Sequence, residues 1–429
     1  ERAIGRRGRI VFAAFGTLGD LYPTLGVALG LHERGHDVTV ATNPFHRAGV
    51  ERLGLRFAPL RPDLPDWQEA PGLIARMMDP RRGTERVVRE YILPRLREQY
   101  DDLAAAAAGA DLIVSSLLVF SARLVAERFG VDWASMAFQP AALFSAFDPP
   151  VLGILPGHSV IKALGPNGAR GALRLLRALA GRWMAPWHAF RSEIGLPPAD
   201  VNPFFEGQHS PLLTLGLFSS LLAAPQPDWP PSTVVAGFPF DDRIGWAGMP
   251  PTLDAFLAAG EPPVVFTLGS SAVWGAGDFY RQSLDALAMT GRRGVLLVGP
   301  DPRNLSCALP PSVIAAEYAP HGLLFPRAAA VVHQGGIGTT GQAMRAGKPM
   351  LVVPFAHDQP DNAARVRRLG IARVVPSRRY EARRAARALM ALLDEEGYRL
   401  RAAEVGQAVR AECGVAVACD AIEAALCGR

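Results

Sequence analysis

The first forty residues alternate between apolar runs and a segment whose apolar positions recur at helical spacing. Residues 9–15 form a short run of β-branched and aromatic side chains, typical of a buried strand. After a turn at residues 16–20, residues 21–34 place apolar side chains on one side at spacings of three and four. Gly35 ends this predicted helix, and residues 37–41 form the next apolar run. The pattern predicts a strand–helix–strand unit with parallel strands.

The same alternation continues through the chain and is interrupted once, by a proline-rich segment at residues 225–231 that is typical of a linker. The tail from residue 378 onward is rich in Ala and Arg and is predicted to be helical. A long helix is also predicted over about residues 84–108. Further strands are predicted at 111–117, 133–138, 263–268, 294–298, 329–332 and 350–353.

Strands that alternate with helices indicate parallel sheets covered on both faces. We therefore predict an α/β protein of two Rossmann-like domains, residues 1–225 and residues 226–410, which face each other across a cleft. A C-terminal helix within residues 411–429 is expected to pack back on the first domain. Such sheets bind ligands beyond the carboxyl ends of their strands, so the cleft is the expected site.

The most informative segment of the C-terminal half is a glycine-rich turn. An apolar strand runs into it, and a helix is predicted to begin near Thr339. Glycines let backbone amides approach a ligand closely, and the open amides at a helix start favour a phosphate. His333 and Gln334 end the strand, where their side chains can reach a diphosphate oxygen. The glycines of the turn are Gly335, Gly336 and Gly338.

A carboxylate and an amide stand side by side after the next predicted strand, at Asp358 and Gln359. Together they accept and donate hydrogen bonds in one plane, which suits the hydroxyls of a sugar. A glycine-rich turn alone is equally typical of tight strand–helix packing. Its joint spacing with residues 347–349 and with this polar pair favours a site for a nucleotide sugar.

This joint pattern resembles the nucleotide-sugar signature of the bacterial branch of family 1 glycosyltransferases, which have the GT-B fold. It is most similar to the group that includes rhamnolipid-forming, sterol and antibiotic glycosyltransferases. Residues 16–20 resemble that group's G-x-x-G-D turn, and residues 266–270 resemble the strand and Gly-Ser that open its C-terminal domain. The resemblance covers nearly the whole chain. It implies an inverting transferase that moves a hexose or deoxyhexose from a UDP- or dTDP-sugar to a small apolar acceptor.

The resemblance also implies how the donor is held. Tyr318 would stack on the nucleobase, the glycine-rich turn would hold the diphosphate, and Asp358 with Gln359 would hold the sugar. The complete set of expected donor-binding residues is Gly19, Ser270, Tyr318, His321, His333, Gln334, Gly335, Gly336, Gly338, Thr339, Gln342, Asp358 and Gln359.

Two positions depart from the family's pattern. Bacterial members often have two consecutive histidines where this chain has His333 and Gln334, so both residues stay candidates for the contact with the diphosphate. Many relatives carry a glutamate that binds the ribose hydroxyls at the position of Gln342. A neutral amide holds a ribose diol less firmly, which weakly favours a deoxythymidine donor over a uridine donor.

Asp20 is the candidate general base, since an acceptor hydroxyl must lose a proton as it attacks the sugar. In the resembling family this position is His in plant members and Asp in many bacterial ones. The plant histidine pairs with an Asp whose place is taken here by Ser116, so Asp20 is expected to act alone. The alternative is that Asp20 only caps the helix predicted to begin near Leu21. His32 and His36, at the far end of that helix, are predicted to lie on the surface.

Composition and motifs restrict which cofactors and partners are expected. Of 429 residues, 49% are hydrophobic and 20% charged, and the formal charge is +5. The positive charge is nearly all scattered arginine, without a basic stripe, so no nucleic-acid partner is expected. No two aspartates stand at positions i and i+2, so no D-x-D metal clamp and no metal requirement are expected. The turn at residues 16–20 lacks the G-x-G-x-x-G pattern, which argues against a nicotinamide or flavin cofactor.

The remaining expectations concern location, acceptor and rival functions. Four cysteines without zinc spacing, and no apolar run long enough for a bilayer, favour a cytoplasmic protein. A weak peripheral membrane contact stays open, as do a monomer and a homodimer. The acceptor is expected to contact two irregular segments, residues 61–83 and 139–187. A nucleotide-sugar epimerase or hydrolase of GT-B fold and a non-catalytic sugar-nucleotide-binding protein are the alternatives.

Overall fold

The computed structural model describes residues 7–63, 71–152, 158–245, 248–305 and 307–427. Within these ranges the strands are β1 (Arg9–Ala13), β2 (Asp37–Thr42), β3 (Arg56–Pro59), β4 (Leu112–Ser116), β5 (Asp132–Ala137), β6 (Thr214–Gly216), β7 (Thr233–Val235), β8 (Val264–Thr267), β9 (Gly294–Leu297), β10 (Val313–Ala316), β11 (Ala330–His333), β12 (Met350–Val352) and β13 (Ala372–Val374).

The α-helices of the same ranges are α1 (Leu18–Glu33), α2 (Arg47–Arg52), α3 (Pro71–Met77), α4 (Gly83–Arg86), α5 (Leu96–Ala106), α6 (Ser121–Phe129), α7 (His158–Ala163), α8 (Gly165–Gly181), α9 (Ala185–Glu193), α10 (Pro251–Ala258), α11 (Phe279–Thr290), α12 (His321–Leu324), α13 (Ile337–Arg345), α14 (Gln359–Arg368), α15 (Ala382–Asp394), α16 (Glu396–Ala411) and α17 (Gly414–Cys427). Short 3-10 helices lie at Pro44–His46, Leu93–Arg95, Pro140–Leu143, Arg182–Met184, Glu206–Gln208, Ala272–Gly275, Pro302–Asn304, Phe325–Arg327 and Ser377–Arg379.

The long helix predicted over about residues 84–108 is helical along most of that length but is not one regular α-helix. It consists of α4, a π-helical stretch at Val87–Ile92, a 3-10 turn at Leu93–Arg95 and α5. Pro94 lies in the 3-10 turn, and because proline has no backbone N–H it cannot continue the α-helical ladder.

The N-terminal sheet contains strands β1 to β7 in the order β3-β2-β1-β4-β5-β6-β7, and every neighbouring pair is parallel. Helices cover both faces, so the central strands are buried on both sides and their sequences are continuous apolar runs. The predicted strands 9–15, 37–41, 111–117 and 133–138 are confirmed as β1, β2, β4 and β5. Sequence reasoning missed β3, β6 and β7, which are three or four residues long.

The C-terminal sheet contains strands β8 to β13 in the order β10-β9-β8-β11-β12-β13, again all parallel. The four strands predicted in this half are confirmed as β8, β9, β11 and β12. The sequence pattern does not predict the edge strands β10 and β13. Two parallel sheets in sequence, each with helices between its strands, confirm the α/β architecture of two Rossmann-like units.

In each sheet the strand order changes direction at one point, between β1 and β4 in the N-terminal sheet and between β8 and β11 in the C-terminal sheet. Open α/β sheets bind ligands outside the carboxyl ends of the strands at such points. The turn at residues 16–20 follows β1, the Gly269-Ser270 turn follows β8, and the glycine-rich turn follows β11. The sheet topology therefore places these three turns, which sequence analysis had singled out, at the points where ligands are expected to bind.

The last strand of the N-terminal sheet, β7, ends at Val235, and the first helix of the C-terminal unit, α10, begins at Pro251. Strand β7 pairs with β6, so the N-terminal sheet extends past the proline-rich segment and past the predicted end of the first domain at residue 225. At the other end of the chain, α17 packs against α1, and Cys419 in α17 donates from Sγ to the Val27 carbonyl oxygen at 3.6 Å. Arg34 forms ion pairs at 2.6 Å with both Asp420 and Glu423.

The docking of α17 makes the surface prediction for His36 wrong, whereas His32 is exposed as predicted. His36 is 6% exposed. Its Nδ1 accepts from the Gly8 amide at 3.2 Å, and its Nε2 lies 3.1 Å from Glu423 in α17. A residue 387 positions away in the chain covers this histidine, and no local pattern reveals that contact.

A buried ion cluster joins the two units beside the cleft. Arg365 in α14 is 3% exposed, and its Nε donates to Asp361 at 2.6 Å. The same guanidinium pairs with Asp148, from the segment after β5, and donates to the Leu222 carbonyl oxygen at 3.1 Å. Asp361 in turn accepts from the Val151 amide at 3.0 Å. Because both units supply members, the cluster fixes how the two sheet edges face each other.

Candidate functional site

Asp20 is the third residue of α1, at the carboxyl edge of β1. Thr17 is the N-cap, and its Oγ1 accepts from the Gly19 amide at 3.2 Å. The Thr17 amide donates to Asp20 Oδ2 at 2.8 Å, which completes a capping box. The capping role considered from the sequence is thus present, although the helix begins at Leu18 and not near Leu21. Both bonds from Thr17 reach Oδ2, so capping leaves Oδ1 for other partners.

Gly16 makes this arrangement sterically feasible. Its φ is +140°, and a Cβ at this position would lie 2.2 Å from Asp20 Oδ2. Any larger residue would push the carboxylate out of the turn. Ser116, at the end of β4, is 2% exposed and its Oγ accepts from the Phe15 amide at 3.2 Å. Ser116 therefore supports the turn after β1.

The glycine-rich turn after β11 leaves no space for a side chain at Gly335. Gly335 has φ +91°, and a Cβ there would lie 2.9 Å from Val352 and 3.1 Å from the Gln359 carbonyl oxygen. Its amide donates to His333 Nδ1 at 3.1 Å. Helix α13 begins at Ile337, two residues before the predicted start, so the first amides of the helix belong to residues 337–339. Their open N–H groups, together with the helix dipole, favour an anion.

His333 and Gln334 differ in what surrounds them. His333 is fully enclosed at 0% exposure, and burial lowers its pKa to about 3, so the imidazole is neutral. Gln334 is 4% exposed, and its Nε2 lies between the turn after β8 and the turn after β11. A Cβ on Gly269 would come within 2.3 Å of that nitrogen, and one on Gly336 within 2.8 Å. The neighbouring Ser270 is exposed.

Asp358 and Gln359 lie at the start of α14, beyond the carboxyl end of β12. Asp358 Oδ2 accepts from Asn362 Nδ2 at 2.6 Å, and the same amide nitrogen donates to the Gly335 carbonyl oxygen at 2.9 Å. Gln359 Oε1 accepts from the amides of Phe355 at 2.8 Å and Ala356 at 3.1 Å. Asn362 thus ties the predicted sugar-binding carboxylate to the predicted phosphate turn, a role that sequence analysis did not assign to it.

The two carboxylates lie close to each other where the two units meet. Burial raises the pKa of Asp20 to about 6, against the opposing effect of the Thr17 hydrogen bonds. Burial likewise raises the pKa of Asp358 to about 7; its hydrogen bond from Asn362 opposes this, and the charge of Asp20 adds to it. The backbones also approach closely, since a Cβ on Gly338 would lie 3.7 Å from the Cα of Gly19. The helix starts of α1 and α13 therefore meet.

The predicted base-binding segment also lies against the N-terminal unit. Tyr318 is half-buried, and its hydroxyl is hydrogen-bonded to Tyr22 in α1. His321 begins α12 and stacks on Phe325 with ring centroids 4.4 Å apart. Burial lowers the pKa of His321 to about 4, so it too is neutral. Gln342, in α13, points its Oε1 towards α12.

Polar atoms without a partner concentrate in this region. Within the described ranges, the buried side-chain atoms that make no hydrogen bond include five from residues 333–362. They are His333 Nε2, Gln334 Oε1, Thr340 Oγ1, Gln342 Oε1 and Asn362 Oδ1. Buried polar groups are normally satisfied, so such a cluster on the segment with the glycine-rich turn marks a surface built for a polar ligand.

His357 is a further residue of this site that sequence reasoning missed. It precedes Asp358 and has φ +58°, a left-handed conformation that is rare for a residue with a side chain. Its Nδ1 lies 3.1 Å from Thr84 Oγ1 in α4, and burial lowers its pKa to about 4. The histidine thus connects the sugar end of the donor site to the N-terminal unit. The only signal in the sequence was its position next to Asp358.

Some side chains of the segments expected to contact the acceptor are buried in the hydrophobic core. Trp187 is fully buried and donates to the Phe120 carbonyl oxygen at 2.9 Å, and Met184 is also fully buried. Phe144 packs on Phe205 with centroids 4.5 Å apart, whereas Phe147 is 45% exposed. Residues 64–70 and 153–157 of these segments lie outside the described residues.

Metal-ligating side chains do not cluster in the part of the chain that the structure describes. Among those residues, no group of three or more His, Cys, Asp or Glu side chains is arranged to hold a metal ion. In the same ranges, no helix combines the length and the apolar character needed to cross a bilayer.

Two facing α/β units, with a carboxylate at the switch point of one and a glycine-rich helix start at that of the other, define a GT-B type of enzyme. Residues 10–136 match the family described as glycosyltransferase family 28 N-terminal domain. Residues 281–423 match the family described as erythromycin biosynthesis protein CIII-like, C-terminal domain.

Known proteins similar to the chain agree with this class. It is 34% identical to O-mycaminosyltylonolide 6-deoxyallosyltransferase of Streptomyces fradiae, over 97% of each chain. It is 30% identical to vancomycin aglycone glucosyltransferase of Amycolatopsis orientalis, over 85% of this chain and 84% of the relative. The solved structure of spinosyn forosaminyltransferase SpnP matches in fold with a TM-score of 0.71 at 20% identity, covering 98% of this chain and 99% of that one.

The chain therefore belongs to the family 1 glycosyltransferases of GT-B fold, and it is an enzyme of the antibiotic and sterol type. The resemblance drawn from the sequence motifs is confirmed. A glycosyltransferase activity also sets aside the two rival functions considered from the sequence.

Proposed function

We propose that the protein is an inverting, metal-independent glycosyltransferase that moves a hexose or deoxyhexose from a UDP- or dTDP-sugar to a hydroxyl of a small apolar acceptor. One observation carries the proposal. Asp20, at the switch point of the N-terminal sheet, lies near Asp358 and near the start of α13, at the switch point of the C-terminal sheet. This arrangement supports a general base opposite an anion-binding turn.

The donor binds on the C-terminal unit. Amides of residues 337–339 and the Gly335–Gly336 turn take the diphosphate, where the helix dipole stabilises the charge that develops as it leaves. Gln334 supplies a side-chain contact, because its amide lies between the two turns while His333 is enclosed. These neutral donors take over the role that a metal ion has in other transferases, so no metal is needed.

The nucleobase and the sugar of the donor bind at the two ends of this turn. The ring of Tyr318 offers a flat face for the nucleobase, and the unpartnered Oε1 of Gln342 is an acceptor for a ribose hydroxyl. Asp358, held by Asn362, accepts from the sugar hydroxyls. A deoxythymidine donor is favoured, because a single ribose hydroxyl suits the single unpartnered oxygen.

Asp20 removes the acceptor proton. Its pKa is raised to about 6 and so lies close to neutral pH, and a general base is most effective when its pKa is near the working pH. The acceptor oxygen attacks the anomeric carbon from the side opposite the diphosphate, so the configuration at that carbon inverts. The oxygen–carbon bond forms as the bond to the diphosphate oxygen breaks, and the proton passes to Asp20.

A screen of donors and acceptors is the direct test. The purified protein is incubated with UDP- and dTDP-sugars and with macrolide, phenolic, sterol and lipid alcohols, in the presence and absence of EDTA, and products are detected by mass spectrometry. The anomeric configuration of the product is read by NMR. Asp20→Asn should slow transfer by about 10²–10⁴-fold, whereas Asp285→Asn, on the exposed face of α11, should not. Retention of configuration, or loss of activity in EDTA, would refute the proposal.

A further inference from the structure

A second cavity lies in the N-terminal unit, away from the cleft. It has a volume of about 820 Å³ and is lined by α6, α8 and the segments around residues 205–211 and 228–232. Its walls are largely apolar and aromatic, with Phe144, Leu173 and Trp229 among the lining side chains. A volume of this size accommodates a small molecule.

The cavity is on the opposite edge of the sheet from Asp20. Trp133 lies near the start of β5, and Ser210 and Ser232 lie just before β6 and β7, so these lining residues mark the amino ends of their strands. Asp20 instead follows the carboxyl end of β1. None of the expected donor-binding residues lines the cavity. Phe144 and Arg174 on its wall belong to the segment 139–187 that was predicted to contact the acceptor. Their side of the sheet is nevertheless the one opposite Asp20, so the cavity is separate from the proposed transferase site.

Two ring nitrogens on the cavity wall make no hydrogen bond within the described residues. Trp229 is 7% exposed, and its Nε1–H has no acceptor there. His209 Nε2 lies 3.1 Å from the Ala142 carbonyl oxygen and donates to it, which leaves Nδ1 as an unpartnered acceptor. Burial lowers the pKa of His209 to about 4, so the ring stays neutral. The wall thus presents one polar donor and one polar acceptor in apolar surroundings.

The rim of the cavity is positively charged. Four arginines and three carboxylates line it, so the lining keeps a net positive charge. Arg123 pairs with Glu127 and Arg177 pairs with Glu206, whereas the Asp228 carboxylate accepts from Ser145 Oγ at 2.6 Å and from the Ala146 amide at 2.7 Å. The other two, Arg170 and Arg174, form no ion pair with a carboxylate in the part of the chain that the structure describes. Arg170 donates to the Asn167 side chain at 2.9 Å, and its guanidinium lies over the Phe147 ring.

We propose that this cavity is a second, non-catalytic binding site for an apolar carboxylic acid. The aromatic wall takes the hydrocarbon body, and the carboxylate lies at the rim, where Arg170 and Arg174 supply charge-assisted hydrogen bonds. The Trp229 N–H donates to an oxygen of the ligand, and His209 Nδ1 accepts from a hydroxyl where the acid carries one. Charge complementarity selects the acid over the corresponding alcohol, and the site does not depend on the proposed transferase mechanism.

The test uses dodecanoate as ligand and dodecanol as its uncharged match, with binding followed by intrinsic tryptophan fluorescence and by calorimetry below the micelle concentration. Wild type should bind one equivalent of dodecanoate at least tenfold more tightly than dodecanol. Arg174→Glu should abolish that preference for the acid, and Trp229→Phe should weaken binding of both ligands while the preference remains. Arg378→Glu, an exposed charge reversal in the C-terminal unit, should behave as wild type.

Folding and site identity are controlled separately. Circular dichroism and the unfolding midpoint should be unchanged in Arg174→Glu, because that side chain is exposed. Asp20→Asn and saturating dTDP should both leave dodecanoate binding intact. Equal binding of acid and alcohol, equal binding by Arg174→Glu and Arg378→Glu, or displacement of dodecanoate by dTDP would each overturn the proposal.

Discussion

Replacing Asp20 by Asn should make the protein more stable at neutral pH while it removes most of the activity. The carboxylate is held in a turn where burial raises its pKa from 3.8 to about 6. The folded protein therefore holds this proton more tightly than the unfolded chain does. Asparagine has nearly the same shape as the protonated carboxyl, and its Oδ1 can still accept from the Thr17 amide, so the turn after β1 should be preserved.

The size of the effect follows from the pKa. A rise from 3.8 to about 6 corresponds to roughly 3 kcal/mol between the two protonation states. Because the Asp20 side chain keeps partial exposure, and because Asn interacts less well with the helix dipole, we expect a net gain of about 1–2 kcal/mol. The sign is set by proton linkage: the wild type loses this stability as pH rises from about 4 to about 6, and Asp20→Asn does not.

Chemical denaturation of both proteins at about pH 3 and about pH 8, below and above this window, measures the difference. The two should be equally stable at the acidic value, and the variant should be more stable at the alkaline one. Asp285→Asn serves as the matched control and should follow the wild type at both values. A variant that is less stable than wild type at the alkaline value would refute the account of Asp20 as a partly buried carboxylate with a raised pKa.

Three further predictions concern the donor site. Asn362→Ala should raise KM for the donor more than it lowers kcat, because Asp358 loses a charge-assisted hydrogen bond worth about 1.5–3 kcal/mol, and initial rates over a donor series measure this. Gly335→Ala should destabilise the protein by roughly 1–3 kcal/mol through its left-handed backbone and lack of space, whereas Gly338→Ala should cost little in urea denaturation. Gln334→Ala should weaken dTDP binding in calorimetry and Gln334→His should restore it; equal affinity of Gln334→Ala and wild type would exclude this contact.

Local sequence patterns predicted the strands and the site segments well, because buried parallel strands are continuous apolar runs and turns after them carry the glycines. The parallel sheets then bring Asp20 and the glycine-rich turn to facing edges, as their positions after β1 and β11 imply. Short edge strands such as β13 escaped prediction, since three residues give too little periodicity.

Contacts between distant segments were beyond local patterns. The burial of His36 depends on Glu423, and the position of His357 depends on Thr84, so each requires the assembled fold. The link from Asn362 to both Asp358 and Gly335 is likewise a tertiary feature, although its spacing of one helical turn from Asp358 was a usable signal.

The most direct measurement is a crystal structure of the protein with dTDP and an acceptor alcohol identified in the donor–acceptor screen. The account predicts the diphosphate on the amides of residues 335–339 and the acceptor oxygen about 2.6–3.2 Å from a carboxylate oxygen of Asp20. A nucleotide bound elsewhere, or an acceptor hydroxyl out of reach of that carboxylate, would contradict it.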